Sequence, residues 1–219
     1  FNMNSAGERY FEMKIKTMKR SYNEVMTLPR PKHKKPWKPT LLMGSVMRLA
    51  SAPDLWATKF TYTRDKKSEP KGPCLILMNH SSFIDLKIVS KIFFPKPYGI
   101  VCTSDGFVGF GKELLMRLIG CIPTQKFVTD VSLIKDMEYA LKKKKCSLLM
   151  YPEASYSFDG TATTLPRKFG VLLKKFDVPV IMIETSELYL RNPLYNELQI
   201  RKGANAKAKA YLLFSKEDI

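Results

Sequence analysis

The 219-residue sequence predicts an α/β fold: a mainly parallel or mixed sheet flanked by helices, led by an N-terminal amphipathic helical segment. Three observations carry that expectation. From about residue 56 onward, short apolar runs alternate with segments of helical periodicity, the pattern of a sheet whose crossovers are helices. An apolar content of 45% over 219 residues is enough for one well-filled core. Before residue 56 the strand-like runs are missing, and apolar residues recur instead at helical spacing.

In chain order, Tyr10, Phe11, Ile15, Met18, Tyr22, Val25 and Met26 fall at helical spacing among Lys14, Lys16, Lys19 and Arg20, which predicts a basic amphipathic helix over 8–27. Residues 29–39 hold four prolines and read as an extended arm. Leu41, Leu42, Met43, Val46, Met47 and Leu49 predict a second helix over about 40–51, with Thr40 as N-cap and Pro53 just past its end. Strands are expected at 57–63, 74–78, 98–103, 121–124, 147–151, 178–184, 196–201 and 209–214, and helices at 82–93, 107–119, 130–144 and 166–176. The chain divides into an N-terminal, membrane-facing unit (1–55) and an α/β domain (56–219). It opens at Phe1 rather than methionine, as a fragment would.

Thirty-seven Lys and Arg against twenty Asp and Glu give a net charge of +17. A field of that sign draws in anionic lipid, nucleic acid, or phosphorylated and CoA-like molecules without choosing among them. Residues 1–40 hold ten basic and three acidic side chains, so the charge is concentrated at one end. Cys74, Cys102, Cys121 and Cys146 form no C-x-x-C and read as buried thiols of a reducing compartment. With two histidines and scattered cysteines, no metal site is expected. There is no apolar run of roughly 18 residues and no secretory signal pattern, so neither a spanning helix nor export is expected.

The chemistry gathers at strand ends. The run Cys74-Leu75-Ile76-Leu77-Met78 leads straight into Asn79-His80-Ser81-Ser82-Phe83-Ile84-Asp85. A histidine beside a carboxylate is an economical general base: the carboxylate fixes the tautomer and stabilises the imidazolium. On one regular helix five residues would set the two side chains about 140° apart, so they meet only if His80 belongs to the strand-to-helix turn. A second strand, Leu148-Leu149-Met150, ends in Tyr151-Pro152-Glu153-Ala154-Ser155-Tyr156-Ser157. A helix is followed by Gly120-Cys121-Ile122-Pro123-Thr124-Gln125-Lys126, and a fourth block is Val178-Pro179-Val180-Ile181-Met182-Ile183.

In this order and spacing the four blocks resemble the glycerolipid acyltransferase family, the lysophosphatidate (1-acylglycerol-3-phosphate) acyltransferases and their relatives. The likeness runs over roughly residues 74–183. N-H-x-x-x-x-D matches in full. The family's F-P-E-G-T-R-S is kept at Tyr151, Pro152, Glu153 and Ser157, with Ala154 for glycine, Ser155 for threonine and Tyr156 for arginine. V-P-V-x-P is kept at Val178, Pro179 and Val180, with Met182 for the second proline. The remaining block fits loosely, through Gly120, Ile122 and Lys126.

The resemblance implies transfer of a fatty acyl group from a thioester, acyl-CoA or acyl carrier protein, to a glycerolipid hydroxyl in phospholipid biosynthesis, most directly that of lysophosphatidate. It implies His80 as base and Asp85 as its orienting partner, no covalent acyl-enzyme, and no cofactor beyond the donor. Acceptor contacts are expected from Lys126, Glu153, Ser155 and Tyr156. Lysine and tyrosine stand where the family carries phosphate-binding arginines, and lysine cannot make arginine's bidentate fork, so either Arg167 and Lys168 compensate or the acceptor is not the usual lysophosphatidate. A lipid acceptor also requires a bilayer. The basic helix, the Lys/Pro/Trp arm and the second helix suit a peripheral protein on an anionic, cytoplasmic membrane face. Two other classes account for part of the sequence. A catalytically inactive acyl-lipid-binding scaffold of the same fold would explain Ala154 and Tyr156. A nucleic-acid-binding protein would explain the charge but leaves His80, Asp85 and Glu153 without a role. No G-x-S-x-G is present, which argues against a serine hydrolase.

Overall fold

Four-residue apolar runs dictate the centre of the molecule. In the computed structural model, which describes residues 23–24, 31–57, 59–65, 69–81, 84–109, 111–125, 130–157, 160–161, 165, 169–191 and 206–219, β2 (Leu75–Met78) is buried at every position. Its side chains alternate between two cores. Ile76 and Met78 face one, with Ile88, Val89, Ile92, Ile100 and Ile181; Leu75 and Leu77 face the other, with Met137, Leu141, Leu148, Leu173 and Phe176. A strand covered on both faces must be apolar throughout, which is why its sequence shows no polar alternation.

Around it lie β1 (Thr61–Arg64), β3 (Tyr98–Thr103), β4 (Cys121–Thr124), β5 (Ser147–Met150), β6 (Val180–Ser186) and β7 (Lys207–Phe214). The seven strands form one sheet in the order β1-β7-β6-β2-β5-β3-β4. The five from β6 to β4 run parallel; β7 is antiparallel to β6, and β1 runs parallel to β7. The carboxyl ends of β6, β2 and β5 are therefore neighbours, and in such sheets ligand sites lie at those ends.

Helices cover both faces. On one side α1 (Leu41–Ala57) contributes Leu55 to the core, and α2 (Asp85–Phe93) contributes Ile88, Val89, Ile92 and Phe93. Lys87 of α2 is ion-paired to Asp54 of α1. On the other side α4 (Val131–Glu138), extended by a wider turn over Tyr139–Lys143, and α5 (Phe169–Phe176) supply Met137, Leu141, Leu173 and Phe176. Asp130 caps α4, its carboxylate accepting from the Ser132 N–H at 2.9 Å. The chain is completed by α3 (Lys112–Leu118) and the short α6 (Leu188–Arg191).

Several boundaries differ from the sequence expectation. The helix that begins after Thr40, whose hydroxyl accepts from Met43 N–H at 3.2 Å, does not stop before Pro53 but continues to Ala57. Proline removes one N–H donor to the carbonyl four residues back. That carbonyl belongs to Leu49, which is exposed along with Pro53, so water can take over the lost bond, while burial of Leu55 holds the last turn in place. The single helix expected over 107–119 is instead a 3₁₀ turn (Ser104–Phe107) and α3. Gly109 and Gly111 break the path between them with φ of 126° and 72°, values that favour glycine. The last strand begins at Lys207, earlier than expected. The basic helix of 8–27 and the strand of 196–201 lie outside the described residues, apart from Asn23 and Glu24, which are helical.

Candidate active site

His80 sits two residues past β2, in the turn that leads into α2, and Asp85 is the first residue of α2. The turn brings them together as the sequence requires: His80 Nδ1 lies 2.8 Å from Asp85 Oδ2. The same carboxylate oxygen accepts the Ser81 backbone N–H at 2.9 Å. Asp85 is fully buried, while the His80 side chain keeps 16% exposure. With Asp85 ionised, Nδ1 carries the hydrogen and donates it, which leaves the Nε2 lone pair as the acceptor. Among the described residues Nε2 makes no hydrogen bond.

The loop after β5 closes over both faces of the imidazole. Tyr151 stacks on one, with centroids 3.8 Å apart and planes at 19°; Tyr156 stacks against it at 3.7 Å and 30°. The loop is tied to the end of β2 by the Ser157 N–H, which donates to the His80 carbonyl at 2.7 Å. Burial pushes both phenols well above their ordinary ionisation range, and the nearby Asp85 carboxylate adds to the effect. Both tyrosines are therefore neutral at physiological pH, and the ring between them can be approached only at its edge.

Asn79 locks the neighbouring strand end. Its Oδ1 accepts the Thr185 N–H at 2.8 Å and the Thr185 hydroxyl at 3.1 Å, and its Nδ2 donates to the Thr185 carbonyl at 3.1 Å. The side-chain amide thus pairs with β6 as another strand residue would. Beside it opens a cleft of about 290 Å³, lined by Asn79, Ser81, Glu153, Ser157, Thr185 and Glu187 among others.

Of the residues expected from sequence, His80, Asp85, Glu153 and Tyr156 come together here. Ser155 turns inward on its own loop, its hydroxyl donating to the Glu153 carbonyl at 3.3 Å. Lys126, Arg167 and Lys168 lie outside the described residues. Ala154, in the place of the family's glycine, has φ of 53°, so the left-handed turn is retained without the residue that favours it. The sequence reading gave no role to the Tyr151 stack, the Asn79 lock or Ser81. Only the apolar run before Asn79 hinted at the lock, by fixing where the strand ends. Among the described residues no cluster of three or more His, Cys, Asp or Glu could hold a metal.

Comparison with known proteins matches the acyltransferase family model over residues 59–184, more than half of the sequence, from just before β1 into β6. The chain belongs to the acyltransferase family. Among solved structures, this acyltransferase is similar in fold to PlsC, the 1-acyl-sn-glycerophosphate (LPA) acyltransferase of Thermotoga maritima. The TM-score is 0.61 at 14% identity, over 78% of this chain and 66% of that one. The acyltransferase therefore spans a little under two thirds of that protein's length. The shared fold accounts for the mixed, mostly parallel sheet.

Proposed function

We propose that this acyltransferase moves a fatty acyl group from an acyl thioester, acyl-CoA or acyl carrier protein, to the free hydroxyl of a lysoglycerolipid, with lysophosphatidate as the acceptor. The observation that carries this reading is the orientation of His80: Nδ1 is held by Asp85, and Nε2 makes no hydrogen bond among the described residues.

In the reaction, Nε2 takes the proton from the acceptor hydroxyl as its oxygen attacks the thioester carbonyl. Asp85 lies against the positive charge that develops on the ring. Collapse of the tetrahedral intermediate expels the thiolate, which takes the proton back from the imidazolium. The ester forms without an acyl-enzyme, so no nucleophilic Ser or Cys is used. General-base assistance of this kind contributes about 10² to 10⁴ in rate. Tyr151 and Tyr156 hold the ring in plane with the approaching hydroxyl, and their neutral, buried faces keep water off the pair.

The lipid acceptor fits a peripheral protein on the cytoplasmic membrane face. Among the described residues no helix is long and apolar enough to cross a membrane. Yet α1 exposes Leu41, Leu42, Val46, Leu49 and Trp56, on a chain of net charge +17. An apolar helix face on a basic protein suits an anionic interface. Sedimentation with liposomes tests this: binding should rise with anionic lipid and fall with salt, and binding indifferent to both would refute it.

The activity is tested by thiol release from a long-chain acyl-CoA, with and without lysophosphatidate, for the wild type and His80→Ala. Acceptor-dependent release abolished by the substitution is the expected result. Acceptor-independent release would instead identify a thioester hydrolase.

A further inference from the structure

The cleft beside His80 is built by three strand ends: Asn79 and Ser81 follow β2, Glu153 and Ser157 lie in the loop after β5, and Thr185 belongs to the end of β6. Asn79 is committed to Thr185 through both of its amide atoms. Ser81 is different. It is 4% exposed and lines the cleft, its N–H is used by Asp85, and its Oγ is buried with no hydrogen-bond partner among the described residues. A buried hydroxyl left without a partner is costly, so such a group marks a place where something outside the protein completes it. The volume, about 290 Å³, is that of a headgroup rather than a whole lipid. The lining includes the hydroxyls of Ser81, Ser157 and Thr185 and the carboxylates of Glu153 and Glu187, groups that recognise alcohol oxygens by giving and taking hydrogen bonds.

We propose that this cleft holds the glycerol unit of the acceptor, and that Ser81 Oγ is a specificity-determining contact to the oxygen on the carbon next to the hydroxyl being acylated. That oxygen is a free hydroxyl in a monoacylglycerol and an ester oxygen in a lysophosphatidate; the cleft reads it in either form. This rests on the acyltransferase reading, with the acceptor entering beside the base. Ser81 neighbours His80 in sequence, and its N–H helps hold the carboxylate that holds His80, so the contact registers the acceptor against the base.

The experiment compares a short-chain monoacylglycerol with the propanediol monoester that lacks its terminal oxygen, using the wild type and Ser81→Ala. The wild type should prefer the glycerol acceptor in kcat/KM, and Ser81→Ala should erase that preference. The loss should fall on the glycerol acceptor alone, by about 2- to 12-fold for one neutral hydrogen bond. The KM for acyl-CoA should not change. Equal losses on both acceptors, or a change confined to acyl-CoA, would overturn the assignment. So would a Ser81→Ala protein that fails to fold, because the hydroxyl would then have an internal use. Saturation-transfer NMR with the same two esters needs no turnover. If the wild type transfers to neither ester, weaker binding of the glycerol ester to Ser81→Ala, with the propanediol ester unchanged, upholds the subsite while the acyl-transfer reading fails. Indifferent binding overturns the subsite itself.

Discussion

Replacing Asp85 with asparagine separates the charge of the pair from its geometry. One oxygen, Oδ2, accepts from both His80 Nδ1, at 2.8 Å, and the Ser81 N–H, at 2.9 Å. An amide oxygen can accept the same two bonds, so Asp85→Asn should keep the turn. What it loses is the negative charge facing the imidazolium. With charge centres about 4 Å apart and an effective dielectric of about 20, that interaction is about 4 kcal/mol. The net worth of a hydrogen bond to a charged group is a lower figure, about 1.5–3 kcal/mol. Taking about 2 to 4 kcal/mol, turnover should fall between about 30-fold and 1,000-fold. The assay is acceptor-dependent thiol release at saturating donor and acceptor, alongside a thermal melt. Removing a fully buried carboxylate relieves its desolvation, so the melting temperature should shift little. A folded Asp85→Asn enzyme within threefold of wild-type turnover would refute the paired-base reasoning.

Three other outcomes are expected. Tyr156→Phe keeps the stack on His80 and should retain near-wild-type turnover, whereas Tyr156→Ala removes it and should lower kcat by about 2- to 12-fold, the worth of one aromatic pair; equal effects would mean that the phenol oxygen matters instead. Ala154→Gly relieves a left-handed backbone at φ of 53° and should raise stability by up to about 1 kcal/mol in urea titration, while a clear loss would show that the methyl group packs. Burial pushes the thiols of Cys74 and Cys146 up to about 11. Because the folded protein disfavours the thiolates, their contribution to stability is complete below the unfolded thiol value and is lost as pH rises through about 11. The urea midpoint should therefore fall across that window, less steeply in Cys74→Ala/Cys146→Ala, and native thiols should label slowly at pH 8.

The central strands were legible because burial on both faces demands unbroken apolar runs, as at Leu75–Met78 and over 148–150. Their order was not, since nothing local says that β2 lies between β5 and β6 or that β7 turns antiparallel; those pairings join residues far apart in the chain. The extension of α1 past Pro53 escaped because exposure of Leu49 and burial of Leu55 are tertiary facts. At the site, His80 and Asp85 could be read from one turn, where strand, histidine and helix start follow in sequence. The stacked tyrosines could not, because they reach the ring from the loop after a different strand. Ser81 gave no signal at all: its meaning comes from the lack of a partner among the described residues, which only a folded surrounding reveals.

The tyrosine sandwich also gives the base a spectroscopic signature. The chain has two histidines, and the other, His33, is exposed beside Asp136, with Nε2 3.1 Å from that carboxylate. Protons held over the face of an aromatic ring feel its induced field and resonate upfield. The carbon-bound protons of the His80 imidazole lie between two such rings, so their signals should stand apart from those of His33 in a spectrum with only two histidines to assign. Protonation state, substrate arrival and any parting of the tyrosines could then be followed at the ring proposed to take the proton, with no label added to the protein.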